Sequence, residues 1–246
     1  MITINANGRM GNRLHYFIAA MHCHKLSGMQ FTPERINGFV KTYDRKDGTV
    51  YNDIKSANDL YSDRENFFEN VKNLKNGLCM DFMIHRYEYF KKIGRENVID
   101  YLEIENEDHY DTPEDNELVL HIRLGDYAFA GGGSITDKSL YLKCISIEAP
   151  KKCTILTDEP NNAYLDDFKR IGCVIRSADA LADFVYIKKA KKSCISKSTF
   201  SWLAAYISNA DKVYFPISDN KWPYFADPKP DETDFRPLDL QNWVLI

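Results

Sequence analysis

No apolar run in this 246-residue chain approaches the length that crosses a bilayer, and the N-terminus lacks the apolar core of a secretory signal. Basic charge is not in excess. The formal net charge of −4 argues against general nucleic-acid binding, which usually needs a basic face. The six cysteines (Cys23, Cys79, Cys144, Cys153, Cys173 and Cys194) include no C-x-x-C pair. Several fall in segments that read as strands, where a free thiol behaves as a small hydrophobe, and without export nothing calls for disulfides. His22-Cys23-His24 invites a metal reading, but a helix is expected there and adjacent side chains on a helix diverge. Repeats and long low-complexity segments are absent.

What is present suits a globular protein. Hydrophobic residues make up 44% and aromatic residues 13%, enough for one large domain or two small halves. From about residue 116 the pattern is regular. Apolar segments at 118–122, 153–157, 173–176, 193–196 and 213–217 read as strands, and helical patterns at 138–148, 161–170, 179–190 and 200–209 separate them. Such alternation is the signature of a parallel sheet covered on both faces. Residues 1–115 are less periodic: a strand at 2–4, a helix over 12–27 with Leu14, Phe17, Ile18 and Met21 on one stripe, and helical patterns at 65–75 and 81–93. The acidic stretch 103–117 reads as a solvated linker, and the prolines from Pro216 through Pro237 predict a mostly irregular tail.

Three segments carry polar chemistry. His121-Ile122-Arg123-Leu124-Gly125-Asp126-Tyr127 follows the apolar run 118–120 and breaks at Gly125, so an imidazole, a guanidinium and a carboxylate leave a strand end together. In an open parallel sheet ligands bind at the carboxyl ends of strands, and an arginine fork suits a phosphate. The plainer alternative is an Arg–Asp pair and nothing more. Near the N-terminus, Gly8, Arg9, Gly11 and Asn12 lie between strand and helix, where free N–H groups and the helix dipole favour an anion. Their spacing matches neither the dinucleotide fingerprint nor the Walker loop. Ser196-Lys197-Ser198-Thr199-Phe200-Ser201 opens another helix with four hydroxyls and a lysine, more than an N-cap requires.

Taken in chain order, the N-terminal segment first, these three segments resemble the motifs of the fucosyltransferase superfamily, closest to the α-1,2-fucosyltransferases, with features of the protein O-fucosyltransferase branch. The family elements G-x-x-G-N-Q, H-x-R-R-G-D-Y and S-S-F-S-W-W-A-A-Y-L have counterparts in Gly8-Arg9-Met10-Gly11-Asn12-Arg13, in the run from His121 to Tyr127, and in Ser198-Thr199-Phe200-Ser201-Trp202-Leu203-Ala204-Ala205-Tyr206. Arg13 replaces the family glutamine and Leu124 its second arginine, whereas the arginine that the family uses on the β-phosphate is retained as Arg123.

The resemblance implies an α/β fold of the glycosyltransferase B kind: two Rossmann-like halves facing a cleft, an acceptor-side half at 1–115 and a nucleotide-sugar half at 116–246. It implies transfer of L-fucose, or another deoxysugar such as L-rhamnose, from a guanine nucleotide sugar to a glycan hydroxyl with inversion. A non-catalytic nucleotide- or glycan-binding module is the alternative outside enzymes. Arg123 and Asp126 are then the catalytic candidates, Asp126 chiefly by orienting Arg123. Arg9, Gly11, Asn12, His121, Arg123, Asp158, Asp183, Ser198, Thr199 and Phe200 would hold the donor. Asp158, in the place of the family's Ser-Asp-Asp element, would accept from guanine or ribose, or else cap the helix that follows. Asp183 stands in the place of a family Glu-Asp pattern, or merely suits a helix dipole. Lys188, Lys189, Lys191 and Lys192 read as a solvated helix end. Gly131-Gly132-Gly133 reads as a mobile loop or a simple connection. No Asp-x-Asp triplet occurs, so no metal or other cofactor is expected. Lacking the membrane anchor of animal enzymes, the chain is expected to be a cytoplasmic bacterial or viral enzyme.

Overall fold

The computed structural model describes residues 1–5, 8–31, 33, 35–42, 54–60, 65–81, 86–128, 135–216 and 234–246, so the triple-glycine loop and much of the proline-rich tail lie outside the described residues. The chain divides into two compact units. The first comprises Met1–Ile84 and Glu88–Glu105. Its strands, β1 (Ile2–Ile4), β2 (Ile54–Ser56) and β3 (Gly77–Met80), form a parallel sheet in the order β1-β3-β2. Helices α1 (Met10–Ser27), α2 (Ala57–Leu60), α3 (Phe67–Lys72), α4 (Tyr87–Ile93, its first residue grouped with the second unit) and α5 (Arg95–Tyr101) accompany it. The expected stripe understates α1. Leu14, Phe17 and Ile18 are buried as expected, but so are His15, Tyr16, Ala19 and Ala20, because β1, β3, α3 and α5 all pack on this helix. Gly28 ends it in the left-handed region at φ 69°, donating its N–H to the His24 carbonyl. The helical pattern at 65–75 shortens to α3, and the one at 81–93 contains α4 with residues 82–85 outside the described residues, while β3 and α5 were not legible.

The second unit, His85–Tyr87 with Asn106–Ile246, holds a six-stranded parallel sheet. Its strands are β4 (Glu117–Ile122), β5 (Lys152–Thr157), β6 (Val174–Arg176), β7 (Lys192–Cys194), β8 (Lys212–Phe215) and β9 (Trp243–Leu245). Helices α6 (Lys138–Glu148), α7 (Asp166–Arg170), α8 (Ala180–Lys189) and α9 (Thr199–Tyr206) connect them. The helix expected at 161–170 splits into a 3-10 turn, Ala163–Leu165, and α7. The sheet order is β6-β5-β4-β7-β8-β9. The chain starts in the middle with β4, runs to one edge, then returns past β4 and fills the other side. That is the order of a Rossmann sheet, whose crevice lies where the order reverses, here between β4 and β7.

Every residue of β4 is buried. Leu118, Leu120 and Ile122 share a core with Tyr141 and Cys144 of α6, whereas His121 turns the other way, toward α9. A strand covered on both faces reads as a continuous apolar run.

Three sequence expectations need correction. Glu117, taken for linker, is fully buried at the start of β4, bound by Lys152 at 3.0 Å and by the Tyr186 hydroxyl at 2.7 Å. Lys188 and Lys189 are not simply solvated: they tether the turn Glu107–His109, Lys188 through the Glu107 carboxylate and Lys189 through the Glu107 and Tyr110 carbonyls. The tail is structured where it is described: β9 pairs with β8, and Phe235 is fully buried. Among the described residues no helix is long and apolar enough to cross a membrane.

Candidate functional site

The strand order brings the second and third sequence segments together. β4 and β7 are neighbours, paired Leu118↔Lys192 through Leu120↔Cys194, so the residues that leave their carboxyl ends meet at the reversal point. His121 donates to or accepts from Ser196 across that point, Nδ1 to Oγ 2.7 Å, and its ring lies 5.4 Å from that of Phe200. Burial, reinforced by the Arg123 charge, depresses the imidazole pKa to about 3. His121 therefore meets a ligand as a neutral hydrogen-bonding group and not as a cation.

Arg123 is mostly buried and gripped from two sides. Nη2 reaches Asp126 Oδ1 at 2.7 Å, and Nη1 reaches Asp158 Oδ2 at 2.8 Å, while the guanidinium carbon lies 5.6 Å from the Tyr127 ring centroid. The expected Arg–Asp pair is present, and a second carboxylate joins it from the next strand. Asp158 also accepts from two backbone amides, Leu124 N at 3.0 Å and Gly125 N at 3.3 Å. Burial would raise its pKa, but the Leu124 amide, the Arg123 charge and the Gly125 amide outweigh that and hold it down. The alternative role for Asp158, capping the following helical turn, belongs instead to Asn162, whose side chain accepts from Tyr164 N.

The loop after β7 is equally closed. Lys197 and Ser198 are buried, and Thr199 and Phe200 are half-buried. Tyr127 reaches over from the β4 loop and donates to the Lys197 carbonyl at 3.0 Å, while Lys197 N lies 3.3 Å from Thr136 Oγ1. Ser198 occupies the N-cap position of α9 but makes no side-chain cap bond. Tyr127 stands within the central motif, yet no local signal in the sequence assigns it this role. Ser196 appeared only as one hydroxyl among several, since nothing local announces that it faces His121.

Asp183 sits in the first turn of α8, whose next residue, Phe184, packs on Phe200 at 5.5 Å. Its Oδ1 is buried without a hydrogen-bond partner among the described residues; Arg176 Nε stands off at 3.7 Å, and that guanidinium is already paired with Asp111 at 2.8 Å. Burial pushes the Asp183 carboxyl up to about 6, against the Arg176 charge. An orphaned buried acceptor in a native fold asks for an explanation, and a ligand donor supplies one. The pKa gives a test with a definite sign. A carboxyl raised in the folded state stabilises the fold fully only below its unfolded pKa, and that contribution is lost as pH rises to about 6. Asp183→Asn should therefore gain stability relative to wild type between about pH 4 and pH 6, by roughly 3 kcal/mol at the plateau. Urea melts across that range check it; parallel wild-type and variant curves would show that Asp183 titrates normally.

The first sequence segment belongs to the other unit. Gly8 has φ 101°, a backbone conformation that favours glycine, and a Cβ there would lie 2.5 Å from Asn12 Nδ2. Arg9 is the residue before α1 and makes no side-chain cap bond; Gly11 is buried in the first turn, which contains no acidic residue.

No family model and no curated protein matches the chain. Among solved structures, NodZ α-1,6-fucosyltransferase soaked with GDP-fucose superposes with a TM-score of 0.53 at 11% identity, over 86% of this chain and 92% of that one. POFUT1 in complex with GDP-fucose superposes with a TM-score of 0.48 at 10% identity, over 87% and 97%. The likeness to NodZ shows the fold: the chain has an α/β fold of the glycosyltransferase B kind, shared with a solved α-1,6-fucosyltransferase.

Proposed function

We propose that the chain is a glycosyltransferase of the fucosyltransferase superfamily that binds a guanosine diphosphate sugar where β4 and β7 diverge and transfers L-fucose to a glycan hydroxyl. The observation that carries this reading is the position of Arg123, a preoriented guanidinium at the reversal point of a Rossmann sheet, flanked by the hydroxyl-bearing start of α9. In a single displacement the acceptor oxygen bonds to the anomeric carbon as the bond to the diphosphate breaks, which inverts the centre. Negative charge grows on the departing β-phosphate, where Arg123 N–H groups not spent on Asp126 and Asp158 meet it. Asp126 keeps the fork in place. Of the two carboxylates expected at the donor, Asp183 holds the orphaned acceptor and suits the donor edge of guanine. A site built to hydrogen-bond a base edge discriminates strongly against bases without the matching donors.

At hundredfold excess over its Kd, GDP should stabilise the protein by about 2.7 kcal/mol, a rise in melting temperature of roughly 5–10 °C, while UDP should not. Fucosyl transfer from GDP-fucose should persist in a metal chelator, since cationic and N–H groups neutralise the leaving diphosphate. Protection by UDP or dTDP instead would replace the guanine donor with another nucleotide sugar. Protection by GDP without transfer to any glycan acceptor would point to a binding module.

A further inference from the structure

Ile122 and Thr157 are register partners on adjacent parallel strands. One residue beyond them, Arg123 and Asp158 leave the sheet side by side and pair at 2.8 Å. Asp158 then holds two things at once: Oδ2 takes the guanidinium, and Oδ1 takes the amides of Leu124 and Gly125, the loop that carries Arg123 out of the sheet. The fit depends on residue 125 having no side chain. A Cβ at Gly125 would stand 2.4 Å from Asp158 Oδ2 and 3.2 Å from its Cγ. Both carboxylate oxygens are thus committed to the protein.

We infer that Asp158 is a positioning residue, clamped through the bare backbone of Gly125, that fixes the Arg123 guanidinium toward the diphosphate of the donor, and that it does not read the base. This rests on the proposed nucleotide-sugar site. The two roles separate by probe: a residue that aims Arg123 affects every diphosphate alike, whereas a base reader affects only the matching nucleotide.

The experiment measures binding of GDP, UDP and inorganic pyrophosphate to wild type, Asp158→Asn, Gly125→Ala and the double variant. Asparagine keeps an acceptor for the loop amides but turns an NH₂ group toward Arg123; alanine removes no polar group and only pushes the carboxylate aside. Each variant should weaken GDP and pyrophosphate by the same factor, about tenfold, the scale of one misaligned charge-assisted hydrogen bond, leaving the GDP-to-UDP ratio unchanged. The double variant should be no weaker than the worse single one, because both changes break the same clamp. A ligand-free readout runs alongside: the Arg123 Nη ¹⁵N resonances should be split by hindered rotation in wild type and merge in both variants. Loss of GDP binding in Asp158→Asn with pyrophosphate binding intact would make Asp158 a base reader and overturn the inference. Split Nη signals that persist in both variants would also overturn it. Wild type that binds none of the probes yet shows split signals that merge in the variants would sink the nucleotide-sugar reading while leaving the clamp in place. Should Gly125→Ala fail to fold, Asp158→Asn alone still decides between the outcomes.

Discussion

Arg123→Ala should leave a folded protein whose fucosyl transfer from GDP-fucose is slower by about two to three orders of magnitude, the range for removal of one transition-state charge stabiliser. The loss has two parts. In the proposed mechanism the growing charge on the β-phosphate loses the Arg123 guanidinium, and Asp126 and Asp158, which bracket that group at 2.7 and 2.8 Å, lose the positive charge that offsets theirs beside an anionic donor. Like charges repel, so the damage should appear in donor binding as well as in turnover. Arg123→Lys should recover only part of it, because an ammonium restores the charge but cannot bridge two carboxylates with a planar fork. Steady-state kinetics with a melting curve for each variant check this. Undiminished turnover in a well-folded Arg123→Ala protein would remove Arg123 from the mechanism.

Trp202→Ala should cost about 3–5 kcal/mol of stability, the usual toll for truncating a buried tryptophan. Trp202 belongs to the same run as the hydroxyls at the start of α9, yet its work is packing. It is fully buried, stacked on Tyr206 at 5.0 Å, with Phe235 at 4.8 Å and Trp243 at 6.0 Å around it. Its indole N–H donates to the Phe235 carbonyl at 2.9 Å and so ties the described tail, residues 234–246, to α9. Truncation opens a cavity and leaves that carbonyl without its donor. Trp202→Phe should keep most of the aromatic packing and lose chiefly the hydrogen bond, costing about 1–3 kcal/mol. Urea denaturation measures both; a loss below 1 kcal/mol for the alanine variant would mean that the tail does not depend on this anchor.

The alternation from β4 to β8 was legible because β4, β5, β7 and β8 are mostly buried and the helices between carry local start and stop signals. Helix α6 begins and ends where the pattern puts it, with Asp137 accepting from Ser139 N as its cap. β3 and β9 were not legible. β3 lies between two segments that both read as helical, and β9 sits behind a proline-rich stretch that locally argues against a sheet. Most of the candidate donor residues were legible by type and motif, but their relations were not. Asp158 lies 34 residues from the Leu124 amide that it holds, and nothing near either residue announces the other.

The sequence by itself determined that this chain builds a parallel sheet and that His121, Arg123 and the hydroxyls at 196–201 stand at the ends of its strands, because burial pattern and turn chemistry are local properties. Which strand ends become neighbours is not local. Alternation would equally permit β7 to continue beyond β6; only the return of the chain past β4 sets His121 against Ser196, 75 residues away, at the point where the strand order reverses. The same tertiary placement, one strand over, brings Asp158 to Arg123, and it is possible there because Gly125 offers backbone and no side chain.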